Sequence, residues 1–271
     1  MSVRTLGERL AAPFQPPFPD EWAGDNRGYV PFIILGTART GSSLLVQTLR
    51  SHPGVVSFGE VLNPAKAGYN TPGFENWRGV ARRARDLAPV HFFETGVFAG
   101  YRDEIAAVGC KVFYAHVERP IFASAREWLR ARQDLRVVHL RRRNVLRTYL
   151  SLVIARKTRV YGTRSPENRS ALQVHLQPAS CERFFSETTT QHDRYSTLFG
   201  DHRKLDIDYE DFVADRGARA TSLQEFLDLR PEPLRAPLVK QEVRPLAEAI
   251  TNFAELERHF ASSRWAEHFD D

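Results

Sequence analysis

The chain has 271 residues, 42% of them hydrophobic and 26% charged, which suits a folded protein with a sizeable core and excludes a disordered or low-complexity chain. No run reaches the ~18 apolar residues of a membrane helix and the first residues lack an apolar signal core, so no membrane span and a cytoplasmic location are expected. A formal charge of +5 raises the question of nucleic acid, but aromatic residues are scattered and no recognition module is visible. Arg78, Arg82, Arg83 and Arg85 read instead as one solvated helix face, and no nucleic-acid partner is expected; a basic nucleic-acid-binding protein stands as the non-enzyme alternative. Cys110 and Cys181 are too few for a disulfide framework and lack metal-ligand spacing, which leaves reduced thiols.

Strands and helices alternate along the chain, the pattern of a mostly parallel sheet flanked by crossover helices. A single α/β domain over residues 29–271, after an N-terminal extension of residues 1–28, accounts for the length. Residues 29–36 form the first strand and 42–51 the first helix, stopped by His52-Pro53-Gly54. A short strand over 55–58 leads into 59–74, which carries the loop signals Asn63-Pro64 and Pro72-Gly73. A strand over 110–115, a helix over 121–132, a strand over 135–140 and a long helix ending near Arg159 follow. Residues 161–178 read as an exposed connection. A helix over 179–199, a strand over 204–208 and small C-terminal helices complete the domain. Asp206, Asp208 and Glu210 alternate with Leu205, Ile207 and Tyr209, which fits a half-exposed strand leading to a capped helix better than a cation site. The histidines form no ligand cluster by spacing, and no metal is expected.

Two segments carry chemistry. Between the first strand and helix stands Gly36-Thr37-Ala38-Arg39-Thr40-Gly41-Ser42-Ser43, a small-residue turn opening into a hydroxyl-rich helix start. Backbone N–H groups converge in such a turn, and the helix adds its unpaired donors and the positive end of its dipole, so an oxyanion is the expected ligand. The turn nearly spells the P-loop of nucleotide triphosphatases, with Ser43 in the magnesium-binding position, but Ser42 replaces the lysine and the cation sits at Arg39. An ATP-dependent small-molecule kinase with a degenerate P-loop is therefore one enzyme alternative. Roughly a hundred residues on, the strand 135–140 runs into Arg141-Arg142-Arg143, and Ser151 follows Arg143 by eight positions. Eight residues make a little over two helical turns, so a long arginine and a short serine can meet one anion on one flank, with Arg147 between them. Guanidinium matches phosphate with its fixed fork of donors.

Together, Arg39-Thr40-Gly41-Ser42-Ser43 and the Arg143 and Ser151 pair resemble the two nucleotide sites of the sulfotransferases that use 3′-phosphoadenosine 5′-phosphosulfate (PAPS), in particular bacterial and carbohydrate sulfotransferases. The resemblance implies a P-loop-like α/β fold and transfer of a sulfuryl group to the hydroxyl of a small-molecule, carbohydrate or lipid acceptor, with adenosine 3′,5′-bisphosphate (PAP) as product. It implies that Arg39, Thr40, Gly41, Ser42 and Ser43 hold the 5′-phosphosulfate, that Arg39 serves the leaving oxygen, and that Arg143 and Ser151 hold the 3′-phosphate. Many members carry Asp-Pro after that arginine where Asn144-Val145 stands here, which leaves open whether Arg142 or Arg141 shares the contact. Magnesium is not demanded, because the transferred group carries less charge than a phosphoryl group.

The expected general base is Glu60, just beyond the strand 55–58, in the place where related carbohydrate enzymes carry a glutamate; it lies beside the turn if neighbouring strands follow the usual order. His116 is the alternative, since cytosolic sulfotransferases use a histidine. Lys111, within a strand that abuts the site, is placed to contact donor or acceptor, and Lys240 and Arg244 loosely match the late basic residues that reach the 3′-phosphate or adenine in the family.

Overall fold

The computed structural model describes residues 22–64, 80–161, 172–235 and 244–270. Arg78, Lys240 and much of the connections expected over 59–74 and 161–178 lie outside them. Strand β1 (Ala23–Asn26) is followed by β2 (Val30–Gly36), helix α1 (Ser42–Arg50) and β3 (Val55–Glu60). Helix α2 (Val80–Leu87) precedes β4 (Ala107–Phe113), the short α3 (Tyr114–Val117), α4 (Ala123–Ala131) and β5 (Arg136–Arg141). Then come α5 (Val145–Thr158), α6 (Pro178–Leu198), β6 (Lys204–Asp208), α7 (Tyr209–Ala214), α8 (Arg216–Phe226) and α9 (Phe253–Phe260).

Five strands form one all-parallel sheet in the order β3-β4-β2-β5-β6. Parallel strands need crossovers, and the crossovers cover both faces, so the central strands β2 and β4 are almost continuously buried, while the edge strand β6 alternates and is half-exposed. Alternate residues of one strand then serve different cores. Ile33 and Leu35 of β2 join Val56, Phe58, Val108, Val112 and Val137 on one face, roofed by Phe93, Phe122, Leu129 and Tyr195. Phe32 and Ile34 join Val55, Val138 and Leu140 on the other, against Leu45 and Leu49 of α1 and Phe212 and Leu223 of α7 and α8. Each such fully buried leucine or phenylalanine stabilises the fold by roughly 1.5–3 kcal/mol. A third core joins Leu146, Leu150 and Ile154 of α5 to Phe185 of α6, Phe260 of α9 and Trp265. It fastens the C-terminal helices over the same end of the sheet as the chemistry-bearing turns.

Several expectations need correcting. The strand expected to neighbour β2 does not: β4 lies between β2 and β3. Hydrophobic runs mark strands but do not encode their order. β3 extends two residues past Phe58, so Glu60 ends the strand, after a register shift between Phe58 and Glu60. β4 starts at Ala107 and stops at Phe113, and α3 takes Tyr114 and His116. Arg85 is no part of a solvated face: its side chain is fully buried, while Arg82 and Arg83 are exposed. The described end of the 161–178 connection is not an exposed excursion, because Val174 and Leu176 are buried and Val174 bridges Ile250. His52 terminates α1 as a buried brace, its Nδ1 accepting from the Gly54 N–H at 2.9 Å and its Nε2 2.8 Å from the Arg230 carbonyl.

Candidate active site

The site lies at the C-terminal ends of the strands, where the direction of strand succession reverses between β2 and β5, the usual place for a ligand in an open parallel sheet. Between β2 and α1 the backbone takes positive φ at Arg39 (72°) and at Gly41 (87°). Backbone of alternating hand turns successive N–H groups toward one concave side. Thr40 Oγ1 closes the turn by donating to the Thr37 carbonyl at 2.8 Å. No side chain caps α1 and no acidic residue stands in its first turn, so its leading N–H groups and dipole favour an anion. Gly41 is required here twice over: besides the φ, a Cβ would come within 2.2 Å of the Tyr209 ring.

Lys111 of β4 links this turn to Glu60 of β3. Its Nζ donates to Ser43 Oγ at 3.2 Å and sits 3.2 Å from Glu60 Oε1. Only 2% of the lysine side chain and 13% of the glutamate's are exposed, so β4, by standing between the two, carries the contact that adjacency was expected to supply. Burial pushes the Lys111 ammonium below its ordinary range, Glu60 opposes that, and Arg50 and Arg39 add to it. Glu60 Oε2 accepts from Asn63 Nδ2 at 2.9 Å. Buried Arg85 of α2 in turn donates from Nη1 to the carbonyls of Val61 (3.0 Å) and Asn63 (2.7 Å), with Asp86 on its other nitrogens and the Phe122 ring 5.2 Å away. The carboxylate is thus held on both oxygens, and the chain beyond it is clamped. His116 is half-buried close by; its Nδ1 is buried without a hydrogen-bond partner, and burial, opposed by Glu60, pushes its pKa down.

On the other side of the turn the arginine triplet splits. Arg141 pairs with Asp208, its register partner on β6. Arg143, 49% exposed, is taken up by Asp208 Oδ2 at 3.1 Å and Asp211 Oδ1 at 2.7 Å, so the structure does not bring it to Ser151. Arg142 is the buried member. It lies 5.0 Å over the Tyr209 ring that also abuts Gly41, and its Nε is buried without a hydrogen-bond partner, 3.8 Å from Glu210. Burial, opposed by Tyr209 and Glu210, lowers its pKa, and Arg147 and Arg39 lower it further. Asn144, which stands where many sulfotransferases carry aspartate, caps α5 by accepting from the Arg147 N–H at 2.8 Å, so the departure keeps the helix start. Arg147 Nη1 donates to the Arg244 carbonyl at 3.3 Å.

The two anticipated anion segments meet directly. Arg39 Nε donates to Ser151 Oγ at 3.0 Å, across 112 residues of sequence, while its Nη1 reaches the Tyr161 carbonyl at 2.5 Å. Beside them a cleft of about 560 Å³ is lined by Thr37, Thr40, Arg142, Thr148, His192 and Trp265 among others. Sequence reasoning missed Tyr209, Asn63 and the buried role of Arg85, none of which carries a local signal. It also missed a cluster: His139, His192 and Asp206 come together in space although their spacing suggested no ligand set. Among the described residues no helix is long and apolar enough to cross a membrane.

Comparison with known proteins identifies the family of the chain. The family model described as the sulfotransferase family matches residues 31–233, which span most of the sheet, the turn before α1 and helix α5. Nodulation protein H of Rhizobium tropici is 32% identical over 247 residues, 89% of this chain and 93% of its own length. Nodulation protein H of Rhizobium meliloti (strain 1021) is 33% identical over 249 residues, 89% of this chain and 95% of its own. A solved sulfotransferase from Alicyclobacillus acidocaldarius, 20% identical, aligns over 92% of this chain and 95% of its own with a TM-score of 0.49. With an uncapped, hydroxyl-rich turn meeting an arginine-serine helix at the carboxyl edge of a parallel sheet, and with relatives matched over nearly its whole length, this chain belongs to the sulfotransferase family.

Proposed function

We propose that the chain transfers the sulfuryl group of PAPS to an acceptor hydroxyl by in-line displacement. The observation that carries this reading is Lys111, hydrogen-bonded at once to Ser43 of the phosphosulfate turn and to Glu60. It supports a carboxylate set beside the sulfuryl group. The nucleotide lies in the cleft on the β5 side, with its 5′ end over the start of α1 and the sulfuryl group turned toward β4 and β3. Arg39, Thr40, Gly41, Ser42 and Ser43 hold the 5′-phosphosulfate. Ser151 and Arg142 hold the 3′-phosphate; Arg142 is preferred over Arg143 because its buried Nε makes no hydrogen bond among the described residues, Glu210 lying 3.8 Å away, while Arg143 is engaged by two aspartates. A buried donor left unpaired costs about 1–3 kcal/mol, which a phosphate oxygen would recover.

In the transfer the acceptor oxygen forms its bond to sulfur as the bond from sulfur to the 5′-phosphate oxygen breaks. The acceptor proton passes to the Glu60 carboxylate, and the electron pair of the breaking bond stays on the phosphate, giving PAP. Arg39 faces that growing charge, and an ammonium has three donors, so Lys111 keeps one for a sulfuryl oxygen while bound to Ser43 and Glu60. The unpartnered Nδ1 of His116 favours it as the second candidate for the base. Parallel kinetics of Glu60→Gln and His116→Asn decide between them. The reading expects Glu60→Gln to lower kcat by about 100-fold or more with PAP affinity within about twofold of wild type. Full activity in Glu60→Gln with loss in His116→Asn moves the role to the histidine, and full activity in both overturns a side-chain base.

A further inference from the structure

His139 stands on β5 with its side chain fully buried, an unusual position for an imidazole, on the same strand face as the apolar Val137. Both of its nitrogens are engaged: Nδ1 lies 3.2 Å from Asp206 Oδ1, and Nε2 lies 2.5 Å from the Tyr114 hydroxyl. The His192 ring from α6 stacks flat on it, with centroids 4.3 Å apart and planes 6° from parallel. One ligand atom from each of His139, His192 and Asp206 lies within 4.8 Å of the others. We infer that His139, His192 and Asp206 form a binding site for a divalent transition-metal ion of the zinc class, separate from the residues that transfer the sulfuryl group.

The donor set selects the class of ion. Two imidazoles and one carboxylate suit zinc, cobalt or nickel, whereas calcium and magnesium take oxygen ligands. Bonds of about 2.0–2.1 Å in a tetrahedron put ligand atoms roughly 3.3 Å apart. The His139 and Asp206 pair already has that separation, and a ligand atom of His192, whose side chain is 18% exposed, lies within 4.8 Å of both. Tyr114 supplies the outer partner that a metal-bound histidine normally has on its second nitrogen. Asp206 is 60% exposed, which gives the ion an entry path and leaves a coordination position open to solvent.

The surrounding charges permit an ion. Asp193, 3.6 Å from His192 Nδ1, adds a second carboxylate. Lys204 Nζ is 3.7 Å from the outer oxygen of Asp206 but is anchored by Ser196 Oγ at 2.6 Å, and the guanidinium of Arg141 is taken by Asp208. Coordination through His139 Nδ1 puts the ring proton on Nε2, which then donates to the Tyr114 oxygen, and the phenol proton turns away from the histidine. Tyr114 and His192 both line the cleft, so the ion would reshape one of its walls and tie α6 to β5 and β6.

Titration calorimetry of the full chain with zinc, together with the visible spectrum of the cobalt form, tests the site. The expected result is one equivalent of zinc and a tetrahedral cobalt band. His192→Gln and Asp206→Asn, both at partly exposed positions, should each weaken zinc by about tenfold or more, and Tyr114→Phe by about tenfold. His259→Gln, an exposed histidine on α9, should leave the affinity unchanged. Zinc binding of equal strength in wild type, His192→Gln and Asp206→Asn would overturn the site, as would a wild-type chain that takes up no zinc. Circular dichroism of each variant separates lost ligands from lost folding.

Discussion

Replacing Gly41 by alanine should break the turn between β2 and α1 through two separable effects. The φ of 87° places an L-residue in left-handed backbone, which costs about 1–2 kcal/mol. The new methyl would also stand 2.2 Å from Cδ2 and 2.6 Å from Cε2 of Tyr209, far inside contact, and relieving such crowding costs about 1–3 kcal/mol. The sum is a loss of roughly 2–5 kcal/mol in urea unfolding. Because Arg142 rests on the same ring, displacement of Tyr209 should also weaken PAP binding by more than the stability loss alone implies. A double-mutant cycle isolates the clash: in a Tyr209→Ala background Gly41→Ala should cost only the backbone share, about 1–2 kcal/mol. If Gly41→Ala costs less than about 0.5 kcal/mol, or costs the same in both backgrounds, the contact between turn and ring is not what fixes the glycine.

Two further outcomes are expected. His139 has a folded-state pKa pushed down to about 4 by burial first and by neighbouring His192 second, so its contribution to stability is complete above the unfolded value near 6.5 and is lost as pH falls from there to about 4. The loss attributable to this ring is about 3 kcal/mol, and subtracting the pH-stability curve of His139→Gln from that of wild type should expose it; a flat difference between pH 7 and 4 would contradict the assignment. Arg85→Lys removes the Nη1 donor that holds the Val61 and Asn63 carbonyls and the nitrogens that pair with Asp86. Steady-state kinetics should give a kcat about tenfold lower with PAP affinity nearly unchanged, and an unaltered kcat would show that the clamp does not position Glu60.

Much of the sheet was legible because buried parallel strands are short apolar runs and a half-exposed edge strand alternates: β2 and β5, and the alternating β6, fall within a residue of where the sequence puts them. The turn at Arg39 to Ser43 and the serine of α5 drew notice for a related reason, since each has a local pattern, and the structure brings Arg39 and Ser151 into contact. Strand order was not, because no residue of β3 records that β4 will separate it from β2. Which arginine of the triplet turns inward was not legible either. That choice is made by Asp208 and Asp211, which draw Arg143 outward from some 65 residues away, and by Tyr209, which supplies the platform for Arg142. Arg85 looked like its exposed neighbours because a buried guanidinium differs from a solvated one only in its tertiary partners, here two carbonyls, Asp86 and Phe122. His139 and His192 are 53 positions apart and meet only because α6 packs back across β5.

The central claim is that the turn and the arginine-serine helix hold opposite ends of one adenine nucleotide. Calorimetric titration of wild type and Arg142→Ala with PAP and with adenosine 5′-phosphate, which lacks the 3′ group, addresses it most directly. The account predicts that wild type prefers PAP by about tenfold to a hundredfold, the value of a charge-assisted contact, and that Arg142→Ala removes this preference while leaving the 5′-phosphate compound almost unaffected. Equal affinity of wild type for the two nucleotides, or an equal loss of both in Arg142→Ala, would contradict it.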